Sequence, residues 1–297
     1  MRGKSPRRPT WGRRLVSAFH ERFAARVPFH DPDGRKGVWE PFTRAPRHRV
    51  VRYALLLDGV GARPWTVALL ADLHVGAHAG DVARYRAIVA ETNALRPDLV
   101  LLLGDYMNTM PGFGGWVAPE TVAAILEPLR APQGVYAVLG NHDWRYGPEA
   151  VRAALRAAGI VMIDNEVVPV ARGSDRLTLV GLDDEVYGRP DLSLFDRRGD
   201  DAPRLVVTHN PGLFLDAPEG CVMVAGHMHG GQIRLPDLPA LAVPAGRAPR
   251  RWANGHFRER GGQLVVSAGL GASGLPWRWG IAPEILLLSL VGPDAGA

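Results

Sequence analysis

A single cysteine in 297 residues excludes any disulfide within the chain. That cysteine, Cys221, stands just before an apolar run, the setting of a small buried hydrophobe, and a free thiol suits a reducing compartment. No stretch reaches the roughly 18 apolar residues that a membrane-spanning helix needs. A cleavable signal is lacking too. Arg13-Arg14-Leu15-Val16-Ser17 has the paired arginines of an export signal, but Ala18-Phe19-His20-Glu21-Arg22 interrupts it before an apolar segment can form. The basic residues lack the interleaved stacking aromatics and the module signatures of nucleic-acid binding. What is present is a globular composition, 46% hydrophobic and 22% charged, which excludes a disordered chain.

Charge is unevenly placed. Residues 1–50 hold 13 Lys+Arg against 4 Asp+Glu, a net of +9, while the whole chain carries 35 against 30. The rest is therefore mildly acidic, as expected of a body that offers carboxylates to cations. Within the arm, Val16, Phe19, Phe23 and Val27 share one helical face, flanked by Arg13, Arg14, Arg22 and Arg26. This pattern suits either a basic amphipathic helix lying on an anionic membrane or a helix packed on the body or a frayed tail. Residues 28–48 are rich in Pro, Arg and His and read as a linker. The expected organisation is a basic arm and linker over 1–48 and one catalytic domain over 49–297.

Beyond the arm, apolar runs alternate with helical patterns. Strands are expected over Val50–Asp58, Thr66–Ala71, Leu99–Leu103, Val135–Leu139, Ile160–Ile163, Val167–Ala171, Leu177–Leu182, Leu205–Thr208, Val222–Ala225, Gln263–Ser267 and Glu284–Val291. Helices are expected over Asp81–Arg96, Pro119–Arg130 and Glu149–Ala158. Continuous apolar runs such as Leu99–Leu103 belong to strands covered on both faces. The order implies one α/β domain with two packed sheets flanked by helices. Residues 236–262, with four prolines, read as a long irregular loop and a candidate lid.

Four polar motifs follow these runs: Asp72-Leu73-His74, Gly104-Asp105, Gly140-Asn141-His142-Asp143 and Gly226-His227-Met228-His229. A further histidine, His209, lies between the last two. Each follows a strand, so the polar groups collect along one rim of the sheets. Residues two apart in a strand project to one side, which lets Asp72 with His74, and His227 with His229, reach a common centre. Carboxylate, amide and imidazole without thiolate are the donors of hard or borderline divalent cations. Any one of these motifs occurs often by chance; all of them in order, each beside glycine, point to a two-metal hydrolase. His78 and Asp184 lie near motifs but fit no ligand position.

In these motifs the chain resembles the calcineurin-like metallophosphoesterases, whose pattern is D-x-H, GD, GNH[DE], a lone His and GHxH. It is most similar to the bacterial subgroup related to UDP-2,3-diacylglucosamine pyrophosphatases, through Gly226–Gln232 and the stretch Gly269–Gly280. The resemblance covers roughly residues 50–291. It implies a four-layer α/β/β/α metallophosphoesterase sandwich with two packed mixed sheets. It also implies two divalent ions (Mn, Fe or Zn), one held by Asp72, His74 and His229, the other by Asn141, His209 and His227, with Asp105 bridging. His142 is then a general acid or electrostatic stabiliser at the leaving group, oriented by Asp143, and a metal-bound hydroxide attacks phosphorus. Three positions depart from the pattern: Met228 replaces a common Thr, Gly212 a frequent Asp, and Ala268 a frequent basic residue.

The expected function is metal-dependent hydrolysis of a phosphodiester or pyrophosphate bond. One substrate class is a lipid-linked nucleotide resembling UDP-2,3-diacylglucosamine, with Met110–Trp116, Leu235–Val243, Trp277 and Trp279 as an apolar rim. The alternative is a soluble phosphodiesterase or phosphatase for small diesters or nucleotides. A non-enzymatic binding module is disfavoured, because no ligand position has been lost. The expected location is cytoplasmic, either free or peripheral on the inner face of the membrane.

Overall fold

The computed structural model describes residues 43–109, 115, 117–196, 201–235, 240, 243–244 and 246–293. Most of the arm and the apolar stretch around Phe113 lie outside the described residues. The first half runs β1 (Arg49–Leu56), β2 (Trp65–Leu70), α1 (Asp81–Ala94), β3 (Leu99–Leu102), α2 (Pro119–Leu126), β4 (Val135–Ala137), α3 (Asn141–Tyr146), α4 (Pro148–Ala157) and β5 (Val161–Met162). The second half is β-rich: β6 (Val167–Arg172), β7 (Asp175–Gly181), β8 (Arg204–Val207), β9 (Val222–Ala225), β10 (Gly255–Glu259), β11 (Gly262–Val266) and β12 (Glu284–Val291).

These strands form two six-stranded mixed sheets, ordered β1-β12-β2-β3-β4-β5 and β10-β11-β9-β8-β7-β6. Alternation along each strand explains how they stack. In β2 and β3, Trp65, Val67, Leu69, Leu99 and Leu101 point into the space between the sheets. Their neighbours Ala68, Leu70, Val100 and Leu102 point outward to the helices. In β8 and β9, Leu205, Val207, Val222 and Val224 fill the same inner layer. Val206, Met223 and Ala225 face the opposite outer layer. Both faces of each central strand are thus buried, which is why these runs are continuously apolar.

Helix α1 covers the first sheet with Val82, Tyr85, Ile88, Val89 and Thr92, one stripe at helical spacing. The outer face of the second sheet is covered differently. Among the described residues it packs against short 3-10 turns, Leu192–Phe195, Pro211–Leu215 and Arg250–Trp252, through Leu194, Leu213, Phe214 and Trp252. The architecture is an α/β sandwich of two packed mixed sheets, as expected, with this second outer layer thinner than the helical one.

The described part of 236–262 is more ordered than the expected long irregular loop. Residues 255–259 are strand β10, paired antiparallel with β11. Trp252 is buried, packs edge-on against Phe214 at 5.6 Å, and donates its indole N–H to Glu259 at 3.1 Å. Arg247 ties the segment down further by ion pairs to Glu185 and Asp216. Strand β12 gives the fold a long-range closure: the last strand inserts between β1 and β2, parallel to the first and antiparallel to the second.

Candidate metal centre

The polar motifs sit where strands end and the chain must turn sharply. Asp72 and His74 follow β2, Asp105 follows β3, Asn141 opens α3 after β4, His209 follows β8, and His227 and His229 follow β9. Asp72, His74, Asp105, His227 and His229 all take left-handed backbone angles, with φ of 51°, 42°, 56°, 71° and 51°. Such conformations cost energy for residues with a side chain and persist only where the surroundings impose them. Here the surroundings are other site loops. His74 donates its amide to the Asp105 carbonyl at 2.9 Å, and His227 donates its amide to the Asp72 carboxylate at 3.0 Å. Gly104 and Gly140 permit the closest approach: a Cβ on Gly140 would lie 2.2 Å from Asp105 Oδ1, and one on Gly104 would lie 2.4 Å from the Gly140 nitrogen.

The structure brings the expected site residues together. Asp72, His74, Asp105 and His229 present donor atoms within 4.8 Å of one another, and so do Asp105, His209 and His227. Asp105 belongs to both groups. Its Oδ2 lies 3.4 Å from Nε2 of His74 and 3.4 Å from Nε2 of His209, while Oδ1 accepts the His142 amide at 2.7 Å. Asn141 Oδ1 lies 3.1 Å from His209 Nε2 and 3.0 Å from His227 Nδ1.

The donor set fits a cation. The His74 ring donates Nδ1–H to the Met107 carbonyl at 3.2 Å, and His209 donates Nδ1–H to the Leu103 carbonyl at 2.7 Å. These bonds aim both Nε2 atoms inward, the arrangement by which ligating imidazoles are commonly oriented. His74 Nε2 then faces His229 Nε2 at 3.1 Å. His209 Nε2 faces an amide oxygen, a carboxylate oxygen and another imidazole nitrogen at 3.1–3.4 Å. One N–H cannot satisfy so many acceptors, whereas a cation can. Electrostatics agree. Burial pushes the Asp72 carboxyl up to about 7, with the Asp105 charge adding to it. Burial alone would keep the His209 ring neutral, but the Asp105 and Asp72 carboxylates outweigh it and hold its pKa at about 10. The centre draws in positive charge, which divalent ions would supply.

The expectation that Asp143 orients His142 needs correction. Asp143 does not touch the His142 ring. Its carboxylate accepts four backbone amides instead: Asp105 at 2.7 Å, Gly140 and Tyr106 at 2.9 Å, and Met107 at 3.4 Å. As the third residue of α3 it reaches back to the turn before the helix and across to the Asp105 loop. The His142 ring is held by Thr109 Oγ1 at Nδ1 and by Ser273 Oγ at Nε2, 3.3 Å away. Burial lowers the His142 pKa to about 3, so the ring is neutral at neutral pH.

Sequence reasoning also missed Arg278. Buried beside the site, it donates to the carbonyls of Ala268 at 2.5 Å, Gly271 at 2.6 Å and His229 at 3.1 Å. It therefore pins the Gly-rich stretch to the turn that carries His229. An arginine inside a Gly-, Pro- and Trp-rich loop with no acid nearby is the signal for such carbonyl binding. Met228 turns away from the centre into the outer core of the second sheet. At Gly212 a Cβ would lie 2.2 Å from Glu185 Oε2, so Glu185 fills the space a side chain would take. His78 is buried 3.7 Å from Asp81, and Asp184 accepts the amides of Val186 and Tyr187; neither joins the metal-ligand groups.

A rim of buried imidazoles, carboxylates and an amide at the strand ends of an α/β sandwich defines a metal-dependent hydrolase. Comparison with known proteins narrows the class. Residues 66–231 match the calcineurin-like phosphoesterase family. The phosphodiesterase YaeI of Escherichia coli (strain K12) is 30% identical over 258 residues, covering 82% of this chain and 88% of that protein. The metallophosphoesterase YkuE of Bacillus subtilis (strain 168) is 29% identical over 212 residues, covering 69% of this chain and 72% of that protein. The chain belongs to the calcineurin-like phosphoesterase family and is a phosphoester hydrolase. Divalent metals are the cofactors of this family, and the clustered His and Asp side chains suit them.

Proposed function

We propose that the chain hydrolyses phosphodiester or pyrophosphate bonds with two divalent ions. Asp72, His74 and His229 would hold one ion, Asn141, His209 and His227 the other, and Asp105 would serve both. The observation that carries this reading is the two donor groups that share Asp105. A divalent pair would supply a nucleophile from water at neutral pH and stabilise negative charge on the phosphoryl oxygens. The mixed imidazole, carboxylate and amide set suits Mn, Fe or Zn. The protein orients these donors through the carbonyls of Met107 and Leu103 and through the Asp143 clamp. His142, neutral and held between Thr109 and Ser273, faces the same centre as a hydrogen-bonding group for the leaving oxygen.

The substrate reading is a lipid-linked nucleotide of the UDP-2,3-diacylglucosamine kind, hydrolysed at a membrane on which the basic arm rests. It is supported by the arm's charge and by exposed apolar residues beside the centre, among them Leu235, Trp277 and Trp279. Among the described residues no helix is long and apolar enough to cross a membrane. The test is a substrate panel after chelation and metal return. Activity on nitrophenyl esters should vanish with chelator and return with manganese, and UDP-diacylglucosamine should be cleaved at the pyrophosphate. Metal-independent turnover would overturn the metal reading. Preference for water-soluble diesters over every lipid-linked substrate would leave the chain a phosphodiesterase for small esters.

The role of His142 has its own signature. His142→Ala should cost on the order of 10²-fold or more on esters with poor leaving groups. Nitrophenolate departs without a proton, so that substrate should lose much less, with metal content unchanged. Equal losses across leaving groups would assign His142 to holding Asp105 or the metals.

A further inference from the structure

The sequence and fold place a second feature beside the centre. Trp279 and Trp277 are 68% and 49% exposed, and Ile233, Leu235 and Leu275 are exposed with them. These side chains are not on a slack loop. Ile233 and Trp279 pair as an isolated parallel bridge, with the Arg234 amide on the Trp279 carbonyl at 2.7 Å and the Trp279 amide on Gln232 at 2.9 Å. Gln232 also donates to the Ser273 and Leu275 carbonyls, and the buried Arg278 anchors the strip from beneath. Rigid, exposed tryptophans on an ordered backbone mark a surface that meets something.

What it meets is indicated by the chain's own charge. Ile233, Trp277 and Trp279 line one concavity of about 460 Å³ with Arg44 and Pro46, and among its described lining residues there is no carboxylate. Arg44 and Pro46, which follow the basic arm in the sequence, belong to this lining. Residues 1–42 carry 10 Lys+Arg against 4 Asp+Glu. Tryptophan prefers the boundary between headgroups and acyl chains, and a basic segment is drawn to anionic headgroups. A single weak signal gives only marginal, reversible attachment, whereas two combine.

We propose that Trp277, Trp279 and Ile233 form a membrane-docking surface that seats in the interface of an anionic bilayer, with the arm as its electrostatic partner. This deepens the membrane reading above by naming the docking residues, and it rests on that reading only for the identity of the surface. The same strip reaches the centre, since Ser273 contacts His142 and Arg278 contacts His229. Docking would therefore present the metal centre to a headgroup phosphate.

The test is sedimentation of the full chain with vesicles of equal parts phosphatidylglycerol and phosphatidylcholine, which needs no turnover and so is separate from the assay of hydrolysis. Wild-type binding should have two components. One falls with salt, and one persists at ~0.5 M NaCl, where charge is largely screened. Trp277→Ala with Trp279→Ala should lose the persistent component, weakening binding about tenfold at high salt, with an unchanged thermal midpoint. Deleting residues 1–42 should remove chiefly the salt-sensitive component. Equal binding by the double variant and the wild type at both salts would overturn the proposal. Two other occupants would also overturn it. Faster protease cleavage within residues 1–42 of the vesicle-free double variant would show that the arm covers the strip. A wild-type dimer that the double variant dissolves would show that a second copy does.

Discussion

Asp105→Ala should lower kcat/KM by at least about 10³-fold, roughly 4 kcal/mol of barrier. No other residue of the centre stands in both donor groups. One carboxylate oxygen lies between the His74 and His209 rings, and the other accepts the His142 amide. Truncation removes the donor common to both groups and the acceptor of the His142 amide together. It also removes the charge that the His209 ring answers, so both halves of the centre should change. Elemental analysis should find fewer than two metal ions per chain, and excess manganese should restore little. Full turnover by this variant, with two ions bound, would remove Asp105 from the mechanism. An intermediate result, one ion bound and partial activity, would show that the two groups work independently.

Much of this cluster was legible in the sequence because its polar residues lie at the ends of strands that are buried on both faces. Runs such as Leu99–Leu103 and Val222–Ala225 declare themselves by continuous hydrophobicity, and the polar residue that ends each run has one rim to occupy. Other features depend on partners remote in sequence. Nothing in residues 284–291 states that they insert between β1 and β2 rather than adding to an edge. Strand β10 was hidden because Gly255-His256-Phe257-Arg258-Glu259 lacks a clean alternation; its pairing with β11 makes it a strand. The left-handed angles of Asp72, His74 and Asp105 were likewise out of reach, since they come from loops stacked on one another. Arg278 was missed because its acceptors are carbonyls, which no residue type announces.

Asp143 shows the same limit from the other side. Adjacency to His142 suggested a pairing of side chains, but successive residues of a helix point in different directions. The third residue of a helix is well placed to reach back to the amide before it, and Asp143 does so at Gly140. The two roles predict different chemistry.

Asp143→Asn decides between them. The carboxylate uses both oxygens to accept the amides of Asp105, Tyr106, Met107 and Gly140. An asparagine of the same shape keeps one oxygen and turns an NH₂ group toward donors that need an acceptor. Each buried amide left unpaired costs about 1–3 kcal/mol, so the variant should melt at lower temperature. The Asp105 peptide must shift to relieve the clash, and it carries the side chain common to both donor groups. Apparent metal affinity should therefore fall about 10–100-fold, the usual cost of losing a group that orients a ligand. Raising manganese should recover much of the activity, and the remaining loss should be the same for good and poor leaving groups. If Asp143 acted by orienting His142, metal affinity would hold, manganese would rescue nothing, and the loss would grow with leaving-group basicity as in His142→Ala. Combining the two substitutions gives an independent reading at saturating metal. Losses that add on the free-energy scale separate the clamp from the leaving-group histidine. A double variant no worse than His142→Ala would place both residues in one unit and overturn the clamp.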